Sequence, residues 1–413
     1  FNTQKHVLYR VIVLRIQMVS SSNTSSSGIL ELVCPVQHYD WGIDGEASLT
    51  AKIYHLNTGT KIDQNIPYAE LWMGTHPNGP ASVRQPDGSL LPLKQVLGKD
   101  LSFLFKILSV KKALSIQAHP DKELAQGLHT RFPSIYKDPN HKPEIAIALT
   151  PFEALCGFRV LDDIKNNLMK YPEFSALIPE EIRTAFSASS EADGKEVLKA
   201  FFAALMEADP ALVKRQTAIL SNRIKDTELP LEKLFLTLNK DYPDEVGCFM
   251  IFVMNYIQLQ PGECIFMTAN EPHAYLMGEC VECMALSDNV VRAGLTPKFR
   301  DIPTLCKMLT YNTYSPSKVL TGPTALGKYS RIYEVPVEEF SVVQTDLPES
   351  GLVETIHHEN ECIILVLQGK IKLSGPDVVK TYSAGSILLL PANQEFIVES
   401  VESSALLFRA FKP

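Results

Sequence analysis

Two stretches of this chain are written in the same pattern. "GECIFMTANEPH" begins at Gly262 and "GSILLLPANQEF" begins at Gly385. In each, a glycine leads a short apolar strand, and Ala-Asn follows at the same offset, Ala269-Asn270 in the first and Ala392-Asn393 in the second. A glycine turn, a strand and an Ala-Asn corner, used twice, predict two small double-sheet β units of the jelly-roll or cupin kind. The copies part at the twelfth position, where the first has His273 and the second Phe396. An imidazole inside one unit and a phenyl ring inside the other predict one functional barrel and one degenerate, structural barrel.

The rest of the chain is parsed around this repeat. Residues 29–160 are short apolar runs separated by turn signals such as "HPNGP" and "QPDGS", which reads as antiparallel β. From 161 to 246 the period changes. Val197, Leu198, Phe201, Phe202, Leu205 and Met206 recur at helical spacing, and Asp209-Pro210 interrupts between two helices. The β pattern resumes at 247 and persists to the end. The expected fold is therefore mainly β with a helical insert. The functional cupin domain spans 29–160 and 247–325, the helical insert domain spans 161–246, and a degenerate cupin domain spans 326–413. A chain of 413 residues is long enough for two or three such units.

With a formal net charge of −8 the chain lacks the excess of Lys and Arg needed to displace phosphate counterions, which argues against nucleic acid as a partner. The longest apolar run near the start, Val7 to Ile16, is broken by Arg10 and Arg15, so no membrane span is expected. Residues 1–28 lack Asp and Glu and run into "SSSNTSSSG". They read as a disordered extension, a translated leader or cloning artefact rather than a targeting segment. Eight scattered cysteines without a secretory signal suit reduced thiols in the cytosol. "CVEC" at 280–283 has no second CxxC to complete a thiolate site, and a structural role is expected for it.

"LSIQAHPDKELA", from Leu114, carries the chemistry. Ser115, Gln117 and His119 alternate with Leu114, Ile116 and Ala118, so a strand would present a hydroxyl, an amide and an imidazole on one face. Taken alone, the pattern is better explained by a half-exposed strand with a wet polar face. Glu144, just before an alternating strand in "NHKPEIAIALT", and His273 complete a set of potential ligands with Gln117 and His119. Two imidazoles, a carboxylate and an amide oxygen suit a divalent first-row metal, with Zn2+ the default.

Seven blocks in order extend the pattern: "QHYDWG", "AELWMGTHPNGP", "LSFLFKILS", "LSIQAHPDK", "HKPEIAIAL", "EPHAYLMGECVECMA" and "SDNVVRAGLTPK". In these blocks the chain resembles the type I mannose-6-phosphate isomerases, zinc enzymes of the cupin superfamily. The resemblance runs from about residue 30 to the end. It implies one Zn2+ on Gln117, His119, Glu144 and His273, an active-site arginine at Arg292, and interconversion of mannose 6-phosphate and fructose 6-phosphate.

Such chemistry moves a proton between neighbouring carbons through an enediol, and positive charge must meet the developing oxyanion. Arg292 cannot readily lose its proton and is expected to act electrostatically. Glu282, Lys142 and Tyr275 are the candidates for proton relay; pairing of Glu282 and Lys142 with each other or with Arg292 is the structural alternative. Lys106 and Ser115, with Lys112 or Lys122, are the expected phosphate contacts, and Trp41 either walls the pocket or simply packs. The expected partner is a small phosphosugar, the expected state a monomer in the cytoplasm. A non-catalytic sugar-binding cupin and a cupin dioxygenase with redox iron remain as other classes, separable by activity and by metal content.

Overall fold

The structure is a computed structural model that describes residues 28–413. The disorder expected for residues 1–28 therefore lies, Gly28 apart, outside the described residues.

One long strand, His273–Ala285, organises the first lobe. Its first half pairs with Phe152–Arg159 and meets Gln117 of Ile116–Ala118, and its second half lies between Phe103–Val110 and Glu144–Ala148. The change of neighbours is made at Gly278, where φ is +110° and a Cβ would lie 2.5 Å from the Pro151 carbonyl oxygen and 2.9 Å from the Phe152 Cα. Both the backbone angle and the approach require glycine. Next to it, Glu153 pairs with Met277 but Ala154 with Tyr275, so the long strand carries one extra residue. A bulge of this kind reverses the alternation of side chains. Tyr275 before it and Glu282 after it, which strict alternation would send to opposite faces, consequently point to the same interior and are hydrogen-bonded at 2.9 Å.

The second lobe is a four-stranded sheet, ordered Val353–His358, Gln394–Ser400, Lys370–Gly375 and Val378–Ser383, laid over part of a nine-stranded sheet. Ile356, Leu373, Phe396 and Val398 from the first meet Val343, Ile364, Leu388 and Leu407 from the second in one buried cluster. The nine-stranded sheet is not confined to the C-terminal part of the chain. Leu30–Val33 pairs with Ile387–Leu390 on one side and with Ser82–Arg84 on the other. A further cluster joins the lobes, bringing Leu71, Phe105, Ile107 and Cys283 against Val342, Ile363, Leu365 and Phe408.

The repeat read in the sequence is a repeat in space. Gly262 and Gly385 both have positive φ, +88° and +85°, and so do Asn270 and Asn393, at 63° and 57°. The N–H of Asn270 donates to the His119 carbonyl at 2.7 Å, and that of Asn393 donates to the His358 carbonyl at 2.8 Å. At the diverging position both His273 and Phe396 are buried.

Between the β segments lie six helices, from Leu161–Lys170 to Pro230–Asp241. The stripe of Leu198, Phe201, Phe202, Leu205 and Met206 is buried on Gly194–Met206, as its spacing predicts. Asp209 then caps Pro210–Ile224, its carboxylate accepting from the Ala211 N–H at 2.9 Å. All eight cysteines are free. Cys280 and Cys283 sit in different hydrophobic clusters, so the two thiols of "CVEC" are packing groups rather than joint ligands. Among the described residues no helix is long and apolar enough to cross a membrane.

Candidate metal centre and cleft

His119, Glu144 and His273 arrive from three strand ends at a common point. Their ligand atoms all lie within 4.8 Å of one another, and each residue is 1% exposed. The Nε2 atoms of His119 and His273 stand 3.4 and 2.9 Å from the two Glu144 oxygens. Each imidazole is held from behind. His119 Nδ1 donates to the Asn289 carbonyl at 2.7 Å, and His273 Nδ1 to the Glu271 carbonyl at 3.1 Å. This fixes the tautomer that leaves each Nε2 lone pair facing the carboxylate.

Burial, with help from Lys142, lowers the His119 pKa to about 4, so that imidazole is neutral. Burial alone would raise the Glu144 pKa, but Lys142 and the two imidazoles outweigh it and keep the carboxylate ionised. Both Nε2 atoms and Glu144 Oε2 are buried without a hydrogen-bond partner. Two imidazoles and an anionic carboxylate, converging on one buried point, are the donor set of a divalent metal. Gln117 lies directly across the ladder from His273 and lines the adjoining cleft, where it could add an amide oxygen.

Beside this cluster runs a buried chain of charge. The Tyr275 hydroxyl donates to Glu282, Lys106 reaches Glu282 at 2.8 Å and Glu70 at 3.1 Å, and the Trp72 indole N–H donates to Glu70 at 2.6 Å. Burial raises the Glu282 pKa, with Glu144 and Glu70 pushing the same way against Lys106. Burial would lower the Lys106 pKa, but its two carboxylate partners raise it. This revises the expectation for Lys106. Its ammonium lines the cleft, yet it is enclosed by two carboxylates and serves as their counterion. Nor do Glu282 and Lys142 pair with each other or with Arg292, because Lys142 goes to Glu144 at 3.3 Å.

The cleft has a volume of about 670 Å3 and takes in Trp41, Lys106, Lys112, Ser115, Gln117, Lys142, Tyr275, Glu282 and Arg292. Arg292 faces Gln117 across the ladder, and its Nε is buried and unpartnered. Burial lowers its pKa without bringing it near neutrality. Trp41 both stacks on Tyr39, with ring centroids 5.6 Å apart, and lines the cleft. Lys122 does not belong here. It is exposed at the start of the helix Lys122–Arg131, outside the lining, and its charge acts on Glu339.

The sequence reading passed over Glu70, Trp72, His76, Asp288 and Lys298, all lining residues. His76 meets Asp288 at 3.1 Å, and that bond draws the Asp288 pKa down. All five lie in the quoted blocks, and that membership was the available signal. Asp241, Tyr242 and Glu245, at the end of the helical insert, also face the cleft, so the insert does more than cover it.

Comparison with known proteins bears on this geometry. The family profile described as phosphomannose isomerase type I, catalytic domain, matches residues 29–161, and that of the helical insertion domain matches 177–254. Mannose-6-phosphate isomerase 2 of Arabidopsis thaliana is 41% identical over 94% of this chain and 94% of its own length. The chain belongs to the type I phosphomannose isomerase family. The Homo sapiens mannose-6-phosphate isomerase is 40% identical over 92% of the chain and 98% of its own length. Among solved members of the family, a holo, zinc-bound mannose 6-phosphate isomerase superposes with a TM-score of 0.81 at 29% identity, covering 93% of this chain and 99% of that one. A mutant of the Salmonella typhimurium phosphomannose isomerase gives the same TM-score, 0.81, at the same 29% identity. This type I phosphomannose isomerase chain is thus an isomerase, mostly β with a helical insertion.

Proposed function

We propose that this chain interconverts mannose 6-phosphate and fructose 6-phosphate, with one zinc ion on Gln117, His119, Glu144 and His273. In this reading it works as a cytosolic monomer and supplies mannose 6-phosphate for GDP-mannose synthesis. Residues 29–160 and 247–325 form the catalytic division, and 326–413 form a structural one. The carrying observation is the pair of imidazoles whose Nδ1 atoms are tied to carbonyls while both Nε2 atoms face one buried carboxylate beside a polar cleft. Held by these residues, zinc would supply positive charge close to where the sugar becomes anionic.

The remaining work falls to side chains. Arg292 enters the cleft as a permanent cation with an unsatisfied N–H, ready to meet the charge that develops on the enediolate. Glu282, its pKa raised by burial and its carboxylate accepting a hydrogen bond from Tyr275, is the carboxyl group suited to carry the proton between the two carbons. Lys142, beside Glu144, is the other candidate for that transfer. The phosphate dianion needs cations that are not already neutralised. Lys112 and Lys298 offer this, since Lys112 reaches Asp40 only at 4.0 Å and Lys298 is exposed at the cleft, and the Ser115 hydroxyl adds a neutral donor.

A coupled assay of mannose 6-phosphate conversion tests the reading. Activity is expected, lost with a chelator and restored by zinc. Full activity in protein freed of metal would remove the metal from the reaction, and no conversion by zinc-loaded protein would overturn the function.

A further inference from the structure

Where the chain leaves the helical insert it crosses the strand that carries Arg292 at very short range. A Cβ on Gly247 would lie 2.6 Å from the Leu295 nitrogen, and one on Gly294 would lie 2.8 Å from the Gly247 Cα, so the backbones meet glycine to glycine. Just beyond the crossing, Leu295 is buried with φ of +53°, a costly angle for a residue with a side chain. Three donors converge here on one carboxylate. Glu245 Oε2 accepts the N–H of Gly247 at 2.9 Å and that of Leu295 at 2.7 Å, and Oε1 accepts from the Arg300 guanidinium at 2.9 Å.

We propose that Glu245 is a positioning residue for the isomerisation, holding the turn after Arg292 and with it the depth at which that guanidinium enters the cleft. The proposal rests on the electrostatic role given to Arg292 above. The ladder does not set this position by itself, because the pairing of Ile116–Ala118 with Val291–Gly294 is shifted between Arg292 and Gly294. Nor does the arginine anchor itself, its buried Nε having no partner. The Glu245 carboxylate is the group that ties the return from the insert to the turn, and it makes the helical insert a determinant of turnover. A displacement of about 1 Å in a catalytic group can cost roughly a hundredfold in rate.

The test is a double-mutant cycle in kcat on zinc-loaded protein. Glu245→Ala is expected to lower kcat by about ten- to a hundredfold, with zinc content retained and KM changed less than kcat. Glu245→Gln, which keeps one oxygen for the two amides and loses the ion pair, is expected to fall between parent and Ala, and it carries the test should the Ala variant fail to fold. In an Arg292→Ala background either substitution should have almost no further effect. An unchanged kcat in the folded variants overturns the proposal. So does an equal loss with and without Arg292, which would make the clamp merely structural. An inactive parent would instead count against the proposed isomerisation itself.

Discussion

His358 stands in the second lobe where His119 stands in the first. Both accept, through their carbonyls, the N–H of the left-handed asparagine that closes the repeat. The strand registers extend the match. Gln117 faces His273 as Ile356 faces Phe396, and Glu144 faces Met267 as Cys362 faces Leu390. Ala146 faces Glu282 as Ile364 faces Arg409. The ligand set of the first lobe therefore reads Ile356, His358, Cys362 and Phe396 in the second. One imidazole survives, and a buried guanidinium, Arg409, stands 3.1 Å from its Nε2.

The second lobe shows how the first should respond to losing a ligand. His273→Phe copies the natural replacement and is expected to leave a folded chain that holds zinc weakly. The loss of affinity should exceed the roughly 10- to 100-fold that follows removal of a supporting hydrogen bond. Metal analysis after dialysis, alongside circular dichroism and turnover, checks this; stoichiometric zinc in the variant would refute the ligand assignment.

Arg292→Ala is expected to reduce kcat more than it raises KM, by about 3 to 4 kcal/mol or a hundredfold to a thousandfold, as when one preorganised donor is removed. Arg292→Lys should recover only part, because a point charge on a flexible stem does not reproduce a planar fork. A rise in KM with kcat intact, together with weaker inhibition by free phosphate, would move Arg292 to the phosphate.

Acid should find a weak point at His358. Burial and Arg409 hold its pKa down at about 3, whereas an unfolded imidazole titrates near about 6.5. Between those values the unfolded chain takes up a proton that the folded chain refuses, so this residue's contribution is intact above about pH 6.5 and is lost as pH falls. Its limiting slope is about 1.4 kcal/mol per pH unit. Urea unfolding of chelated parent and His358→Gln protein between about pH 7 and 5 should show a shallower slope for the variant. Parallel slopes would contradict the assignment.

Gly278→Ala should destabilise by about 2 to 5 kcal/mol, combining backbone strain at positive φ with overpacking against Phe152. It should also separate Tyr275 from Glu282 and depress turnover in the fraction that folds. Denaturant unfolding and kcat measured together check both effects, and wild-type values in each would mean that the bend tolerates a side chain.

What could be read in advance depended on whether a signal was local. The helical stripe from Leu198 to Met206 and the polar face of Gln117 and His119 follow from spacing along one element. So does the twin Gly and Asn pattern. The shared interior of Tyr275 and Glu282 does not, since it depends on an extra residue at a bulge that only the partner strand defines. Lys106 was assigned to phosphate because its two carboxylate partners, Glu70 and Glu282, come from other strands. The Glu245 clamp was invisible for a similar reason, as Gly247 and Gly294 are ordinary glycines until their backbones cross.

The strand Leu30–Val33 hydrogen-bonds on one side to Ile387–Leu390, close to the other end of the chain. A fragment ending before the second lobe would present that strand as a raw sheet edge and would uncover the apolar face around Phe105 and Ile107. Exposed edges and apolar faces recruit other chains. The lobe without a ligand set thus covers an edge and an apolar face that the metal-binding lobe would otherwise leave open to other chains.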